Sequence, residues 1–238
     1  MISILTLGFL IGLQHALEAD HIAAVASIAM RGRSFRGIVR HGAVWGLGHA
    51  LTLLLFGGAV LLLGSAIPDG LALGLEALVG AMLVALGLDV LRRLRRDRIH
   101  FHRHRHADGM IHVHAHSHAG QSQDHDPARH EHAHPSGVPL RSLLVGMMHG
   151  LAGSAALLIL ALSSVHDPWL GLLYIAVFGL GATIGMAMLS AAIAVPLSYS
   201  ARALTWAHQG LQIGVGAVTV GVGLLILYRS ALVPWLDA

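Results

Sequence analysis

The sequence predicts an all-α polytopic membrane protein with six transmembrane helices arranged as a 3+3 inverted repeat. Of its 238 residues, 55% are hydrophobic and 11% are charged, against about 25% charged residues in an average soluble domain. Six apolar segments are long enough to cross the bilayer, which takes about 20 helical residues. The two halves of the chain also share short motifs. This composition excludes a soluble enzyme and a disordered chain, and the absence of Cys excludes disulfides and thiolate metal sites.

The apolar segments divide the chain into two groups of three, separated by a polar loop. They are Ile2–Met30, Val39–Gly64, Leu71–Leu91, Leu140–Val165, Trp169–Leu197 and Ala207–Tyr228. We therefore expect a first three-helix repeat over residues 1–91, a loop over 92–139 and a second repeat over 140–238. The first segment is the longest and contains charged residues in its second half, so we expect it to tilt or to unwind there. No cleavable signal peptide is visible, since no basic residue precedes the first apolar run.

Positive charge is confined to particular loops. All 15 basic residues are Arg, and most lie between the first and second segments or between the third and fourth. The positive-inside rule then places these loops in the cytoplasm and both termini outside, in a cell (inner) membrane. This placement favours a role in membrane topology over nucleic-acid binding, despite a sequence pI of about 10.2.

The repeat is visible as three aligned motifs. Gly12-Leu-Gln-His-Ala-Leu matches the motif that begins at Gly146, at an offset of 134 residues. Motifs that begin at Ala43 and Ala176, and at Val79 and Val215, match at offsets of 133 and 136. Three helices per half is an odd number, so the halves must have opposite orientations. Secondary transporters often have this architecture, with the substrate site near the midplane between the repeats.

The first segment contains four ionisable residues within seven positions, His15, Glu18, Asp20 and His21. Charged groups at membrane depth are energetically unfavourable and therefore indicate a functional site. Imidazole and carboxylate ligands suit Ni²⁺, Co²⁺ or Zn²⁺. Asp20 lies on a different helix face from the others, so a common site requires local unwinding. The alternative is a structural cluster in which a carboxylate pairs with an Arg of the adjacent loop and the imidazoles bond to backbone.

Two further His residues lie at a similar membrane depth. His49 is in the second segment and His149 is in the fourth, and the repeat equates His149 with His15. Each is a candidate ligand, and each has the alternative role of a hydrogen-bonded residue between helices. Glu76, in the third segment, either faces the pathway or braces neighbouring helices.

The central loop is rich in His, with 12 in the 35 residues from 100 to 134. They are His100, His102, His104, His106, His112, His114, His116, His118, His125, His130, His132 and His134. No apolar periodicity is present, so we expect disorder in the absence of metal. Such dense imidazoles are suited to buffering or sensing transition-metal ions, although a simple polar linker or a pH sensor remains an alternative.

With these residues, the chain resembles the nickel/cobalt transporter (NiCoT) family, in particular its short six-helix, urease-accessory branch. The family motif is a His, four residues and Asp-His, found here as His15-Ala-Leu-Glu-Ala-Asp20-His21, followed by Leu47-Gly-His49 in the next segment. The resemblance implies that His15, Asp20, His21 and His49 select and pass the ion. The His-rich loop is similar to that of nickel/cobalt exporters, whereas Ala19-Asp20-His21 follows the importer form.

We therefore expect a permease that takes up Ni²⁺ or Co²⁺ as transported substrate, with no resident cofactor. Its expected partners are the bilayer, the ions and a cytoplasmic metallochaperone or metalloenzyme maturation system. Efflux by the same fold, and a membrane-anchored metal sensor or buffer that uses the His-rich loop, are the alternatives. An enzyme is not expected, because the His-Glu-x-x-His string of a zinc hydrolase is absent.

Overall fold

A computed structural model describes residues 2–30, 34–63, 68–96, 99–105, 111–117, 139–151, 167–203 and 205–232 of the chain. The helices are, in order, α1 (Ile2–His15), α2 (Ala19–Ala29), α3 (Phe35–Thr52), α4 (Gly58–Leu63), α5 (Asp69–Arg96), α6 (Leu140–Gly150), α7 (Pro168–Ala203) and α8 (Thr205–Leu227). A π-helical turn over Leu53–Gly57 joins α3 to α4, and a second one, Tyr228–Leu232, follows α8.

Within the described ranges, four stretches of helix are long and apolar enough to cross a membrane. They are Phe35–Leu63, Gly70–Arg95, Pro168–Leu197 and His208–Ala231. They correspond to the second, third, fifth and sixth predicted segments. The first predicted segment is instead two shorter apolar helices, Ser3–His15 and Ala19–Ala29. The fourth is described only as far as residue 151, so the count of six crossings stays a prediction.

Glycine allows α1 and α7 to approach each other closely. A Cβ atom on Gly12 would overlap the carbonyl oxygen of Phe178. On the facing side, a Cβ atom on Gly181 would overlap the carbonyl oxygen of Phe9. Small residues at helix interfaces are the usual means of close packing in membranes.

The pair α3 and α6 is packed in the same way. A Cβ atom on Gly146 would overlap the carbonyl oxygen of Trp45, and one on Gly48 would overlap that of Leu143. The alignment of the two halves equates Gly12 with Gly146 and Gly48 with Gly181. Equivalent glycines therefore approach equivalent backbone positions, as expected for an internal two-fold relation. In each case the contact joins one half of the chain to the other.

Helix α2 is the most enclosed element of the bundle. Every residue from Ala23 to Ala29 is buried, within a core that includes Trp45, Leu83 and Met186. The Ser27 hydroxyl forms a 2.9 Å hydrogen bond with the hydroxyl of Thr219 on α8. The start of α2, which contains the end of the His15–His21 motif, is thereby held at the centre of the molecule.

Part of the His-rich loop differs from the predicted disorder. Residues Ile99–Arg105 form strand β1 and Ile111–Ser117 form strand β2. The strands pair antiparallel, with Ile99 opposite Ser117 and Arg105 opposite Ile111. His alternates with other residues in both stretches, and this two-residue period is that of a β-strand. The fold is therefore helical with one added hairpin, rather than entirely α.

Candidate metal centre

The motif His15–His21 lies where α1 ends and α2 begins. Helix α1 closes with tight turns, in which the N–H groups of Leu17 and Glu18 donate to the carbonyls of Gln14 and His15 at 2.9 and 3.1 Å. Glu18 then has an extended conformation, with φ −66° and ψ 150°. Its carbonyl accepts the first hydrogen bond of α2, from Ile22 N–H at 2.9 Å. The predicted unwinding of the first segment is therefore observed at Glu18.

This break brings the side chains of four His residues together. His15, His21, His49 and His149 are 4%, 2%, 0% and 2% exposed, respectively. The ring centroids of His15 and His21 are 4.4 Å apart, and those of His21 and His149 are 4.3 Å apart. His49 lies 5.4 Å from His15 and 5.2 Å from His21. Four helices, α1, α2, α3 and α6, thus each contribute one imidazole to a single buried cluster.

Two carboxylates orient two of these rings. The His15 Nδ1 atom is 2.7 Å from Glu18 Oε1, and the His21 Nδ1 atom is 2.9 Å from Asp20 Oδ1. A carboxylate accepts, so each Nδ1 carries the hydrogen and each Nε2 retains its lone pair. In metal sites such carboxylate–imidazole pairs set the tautomer and the ring direction of the ligand. Within the described part of the chain these two carboxylates therefore pair with imidazoles, and Arg31 and Arg33 of the adjacent loop lie outside that part.

Several imidazole nitrogens have no hydrogen-bond partner among the residues that the structure describes. They are Nε2 of His15, Nε2 of His21, Nδ1 of His149 and both ring nitrogens of His49. A buried polar atom without a partner is energetically unfavourable and uncommon in proteins. Several such atoms close together suit a cation, which can accept their lone pairs.

Three of these imidazoles lie close enough together to be candidate ligands of one ion. His15, His21 and His49 each have a potential ligand atom, and these three atoms lie within 4.8 Å of one another. Three nitrogens that each bind one first-row ion at about 2.1 Å lie about 3.0–3.4 Å apart in octahedral or tetrahedral geometry. The three rings therefore have to move closer together, by up to about 1–2 Å, to bind one ion.

Asp20 links this centre to the second half of the chain. Its Oδ2 atom accepts a 3.0 Å hydrogen bond from His149 Nε2, while its Oδ1 atom contacts His21. Asp20, His21 and His149 also form a second group whose ligand atoms lie within 4.8 Å of one another. The structure thus brings together all six residues predicted in the membrane, and their role as ligands stays a prediction.

Two aromatic residues enclose the cluster. The ring of Trp45, which is fully buried, lies 5.5 Å from His21 and 5.3 Å from His149. Phe178 lies 5.4 Å from His15. The sequence reasoning did not identify either residue as part of the site. Their equivalent positions in the repeat, Ala-Val-Trp45 and Ala-Val-Phe178, are the signal that could have found them.

The His-rich loop shares no residue with this cluster. His100, His102 and His104 belong to β1, and His112, His114 and His116 belong to β2. The remaining candidates of the loop lie outside the described residues, and they are His106, His118, His125, His130, His132 and His134.

Comparison with known proteins identifies one informative relative. The chain is 35% identical, over 235 residues, to the urease accessory protein UreH of Bacillus sp. (strain TB-90). The match covers 96% of this chain and 92% of the relative. No protein-family profile matches the chain, and no solved structure matches it.

Proposed function

Because this chain belongs to the family of the urease accessory protein UreH, in the urease-accessory branch of the nickel/cobalt transporters, we propose that it carries Ni²⁺ or Co²⁺ across the membrane into the cytoplasm. The chain is a multi-pass membrane protein and not an enzyme. The imported ion would supply the maturation of a nickel enzyme such as urease, as the name of the relative suggests.

One observation carries the proposal: the buried imidazoles of His15, His21 and His49 each have an unpartnered ring nitrogen, and potential ligand atoms of the three lie within 4.8 Å of one another. The surrounding helices are apolar, so an ion that leaves water there needs protein ligands to replace its hydration shell. Neutral imidazole is a good ligand for Ni²⁺ and its first-row neighbours, and a poor one for Mg²⁺ or Ca²⁺. The donor set therefore suits selective passage of a transition-metal ion.

We propose that His15, His21 and His49 bind the dehydrated ion, with Glu18 and Asp20 holding the rings. Asp20 and His149 form the adjoining group, through which the second half of the chain reaches the ion. Protons compete for the same imidazole lone pairs, so binding weakens at acid pH. The inverted repeat supports access from each side in turn, and the matched glycine contacts of the two halves support the repeat.

The test is accumulation of ⁶³Ni²⁺ in cells that express the chain, compared with cells that express His49→Ala at the same level. We expect cells with the unchanged chain to accumulate more ⁶³Ni²⁺ than cells with His49→Ala, because His49 is the ring with two unpartnered nitrogens. Excess Co²⁺ should reduce the accumulation by the unchanged chain. His208→Ala is the matched control, since His208 lies outside the cluster and contacts Gln212 at 3.2 Å; it should transport normally.

Two results would change this conclusion. Accumulation below that of His49→Ala means efflux, and the His-rich loop then collects ions for export. Equal accumulation in both strains overturns transport by this site.

A further inference from the structure

Glu76 is an intramembrane carboxylate that the centre described above does not use. It lies on α5, within the membrane-crossing stretch Gly70–Arg95, and its side chain is half-buried. Among the described residues it has no hydrogen bond or ion pair. A charged group at this depth usually faces a pathway or a water-filled cavity.

Glu76 lines a cavity of about 350 Å³ that extends to the imidazole cluster. His15, His21 and His149 line the same cavity, and each has an unpartnered ring nitrogen. Apolar side chains of α5 and α8 form much of the remaining wall, among them Val79 and Ile226. The cavity therefore connects a free carboxylate with buried nitrogens that lack partners.

The cavity lies at the end of the bundle opposite the His-rich loop. Helices α5 and α8 pack antiparallel, as the close approaches of Gly80 to Gly223 and of Gly87 to Gly216 show. Glu76 is near the start of α5, whereas the loop follows the end of that helix. Arg229, just beyond α8, also lines this end of the cavity and is exposed.

The charges along the cavity favour a cation. Its described lining includes three carboxylates, Glu18, Asp20 and Glu76, and one guanidinium, that of Arg229. Glu18 and Asp20 already accept hydrogen bonds from His15 and His21. Among the described residues, Glu76 is the one of these three carboxylates that accepts no hydrogen bond, so both of its oxygens are available to an incoming ion.

We propose that Glu76 is the first ligand of the transported ion, and that it binds the partly hydrated divalent cation before the imidazole cluster does. This inference rests on the proposed function. Carboxylate oxygen is a hard ligand that accepts a cation still holding water, whereas the imidazoles are suited to the dehydrated transition-metal ion. Glu76 raises the local cation concentration, and Arg229 lowers it.

The test follows the rate of Co²⁺ binding to the full-length protein in detergent, by stopped-flow absorbance of the Co²⁺–imidazole bands. This measurement does not depend on the direction of transport. We expect Glu76→Gln to lower the association rate about tenfold, at the lower end of the range of electrostatic steering. The final spectrum should be unchanged, and added NaCl should slow the variant less than the wild type. Glu76→Asp should restore most of the rate.

Two other variants make the test specific. Asp89→Asn removes a carboxylate from the same helix, but Asp89 lies at the other end and pairs with Arg93 at 2.9 Å, so its rate should match wild type. Arg229→Gln should raise the rate, because it removes the positive charge at the cavity. This opposite sign also tests the inference if Glu76→Gln does not fold.

A wild-type association rate in Glu76→Gln, or an unchanged rate in Arg229→Gln, overturns the inference. A changed final spectrum in Glu76→Gln also overturns it, since Glu76 would then shape the cluster itself. His49→Ala separates the two proposals: if its Co²⁺ spectrum equals that of the wild type, the proposed imidazole site is wrong. If only His49→Ala alters the spectrum and Glu76→Gln binds at the normal rate, only the role of Glu76 is wrong.

Discussion

Asp20 accepts hydrogen bonds from two different His rings of the cluster. Its two oxygens accept from His21 and His149, and its Oδ1 also accepts the backbone N–H of His21 at 2.9 Å. Both oxygens are thus already used by hydrogen-bond donors. In the proposed site Asp20 therefore orients the rings, and the imidazoles would provide the atoms that meet the ion.

Substitution of Asp20 should distinguish orientation from direct ligation. We expect Asp20→Ala to weaken Co²⁺ binding about 10- to 100-fold, the usual effect of losing a partner that orients a ligand. The ligand-field spectrum of the bound ion should remain that of imidazole ligands. Optical titration of the purified protein measures both quantities.

Asp20→Asn is the conservative comparison for that experiment. Its amide oxygen retains an acceptor for His21, and its NH₂ group can donate to His149 once that ring carries its hydrogen on Nδ1 instead of Nε2. We therefore expect a smaller loss of affinity than in Asp20→Ala. If the spectrum of bound Co²⁺ changes in Asp20→Asn, the carboxylate is a direct ligand and the orienting role is wrong.

At the scale of elements, the site depends on helices that approach within backbone contact. His15 is three residues after Gly12, and His49 is next to Gly48. Each glycine lies against the backbone of a helix from the other half of the chain. A larger residue at either position would separate the helices and move the imidazole that follows.

Gly12→Ala should therefore destabilise the protein by about 1–3 kcal/mol, the usual effect of overpacking. The added methyl group would overlap the backbone of Phe178, which cannot move aside as a side chain can. The thermal unfolding midpoint in detergent should fall. Gly74→Ala on α5 is the matched control, since nothing lies within 4 Å of its Cβ position.

For Gly74→Ala we expect no loss, and a gain of up to about 1 kcal/mol from helix propensity. Equal midpoints for the two variants would show that the contact of α1 with α7 does not limit stability.

At the scale of the whole molecule, the two halves are interlocked rather than side by side. The first helix of each half packs on the second helix of the other, through Gly12 in one case and Gly146 in the other. The third helices of the two halves, α5 and α8, also pack on each other, at Gly80 and Gly223. The proposed ion site takes His15, His21 and His49 from the first half and His149 from the second, so both halves of the chain are needed to form it.

The His-rich loop should be dispensable for passage of the ion. We expect deletion of Arg103–His134 to leave the concentration dependence of ⁶³Ni²⁺ transport unchanged, because the membrane cluster shares no residue with the loop. Asp20→Ala measured in parallel should reduce transport. The opposite ordering, with a silent Asp20→Ala and an inactive deletion, would favour the membrane-anchored sensor instead.

Much of the site was predictable from residue type and spacing alone. His15, Glu18, Asp20 and His21 were identified because ionisable groups are rare in an apolar helix. His49 was identified by its depth in the second apolar segment and by the family motif. Trp45 and Phe178 were missed, since an aromatic residue in a membrane helix is equally typical of packing against lipid or protein.

The sequence by itself determined that the chain crosses a membrane, where four of its long apolar helices lie and which residues are candidate ligands. These properties depend on local composition, because burial in lipid requires long apolar helices and makes each buried charge conspicuous. Only the tertiary structure decided that Glu18 breaks the first segment, that Asp20 joins His21 to His149, and that Glu76 shares a cavity with the cluster. Those relations depend on how closely helices distant in sequence pack, which here is set by backbone contacts at a few glycines.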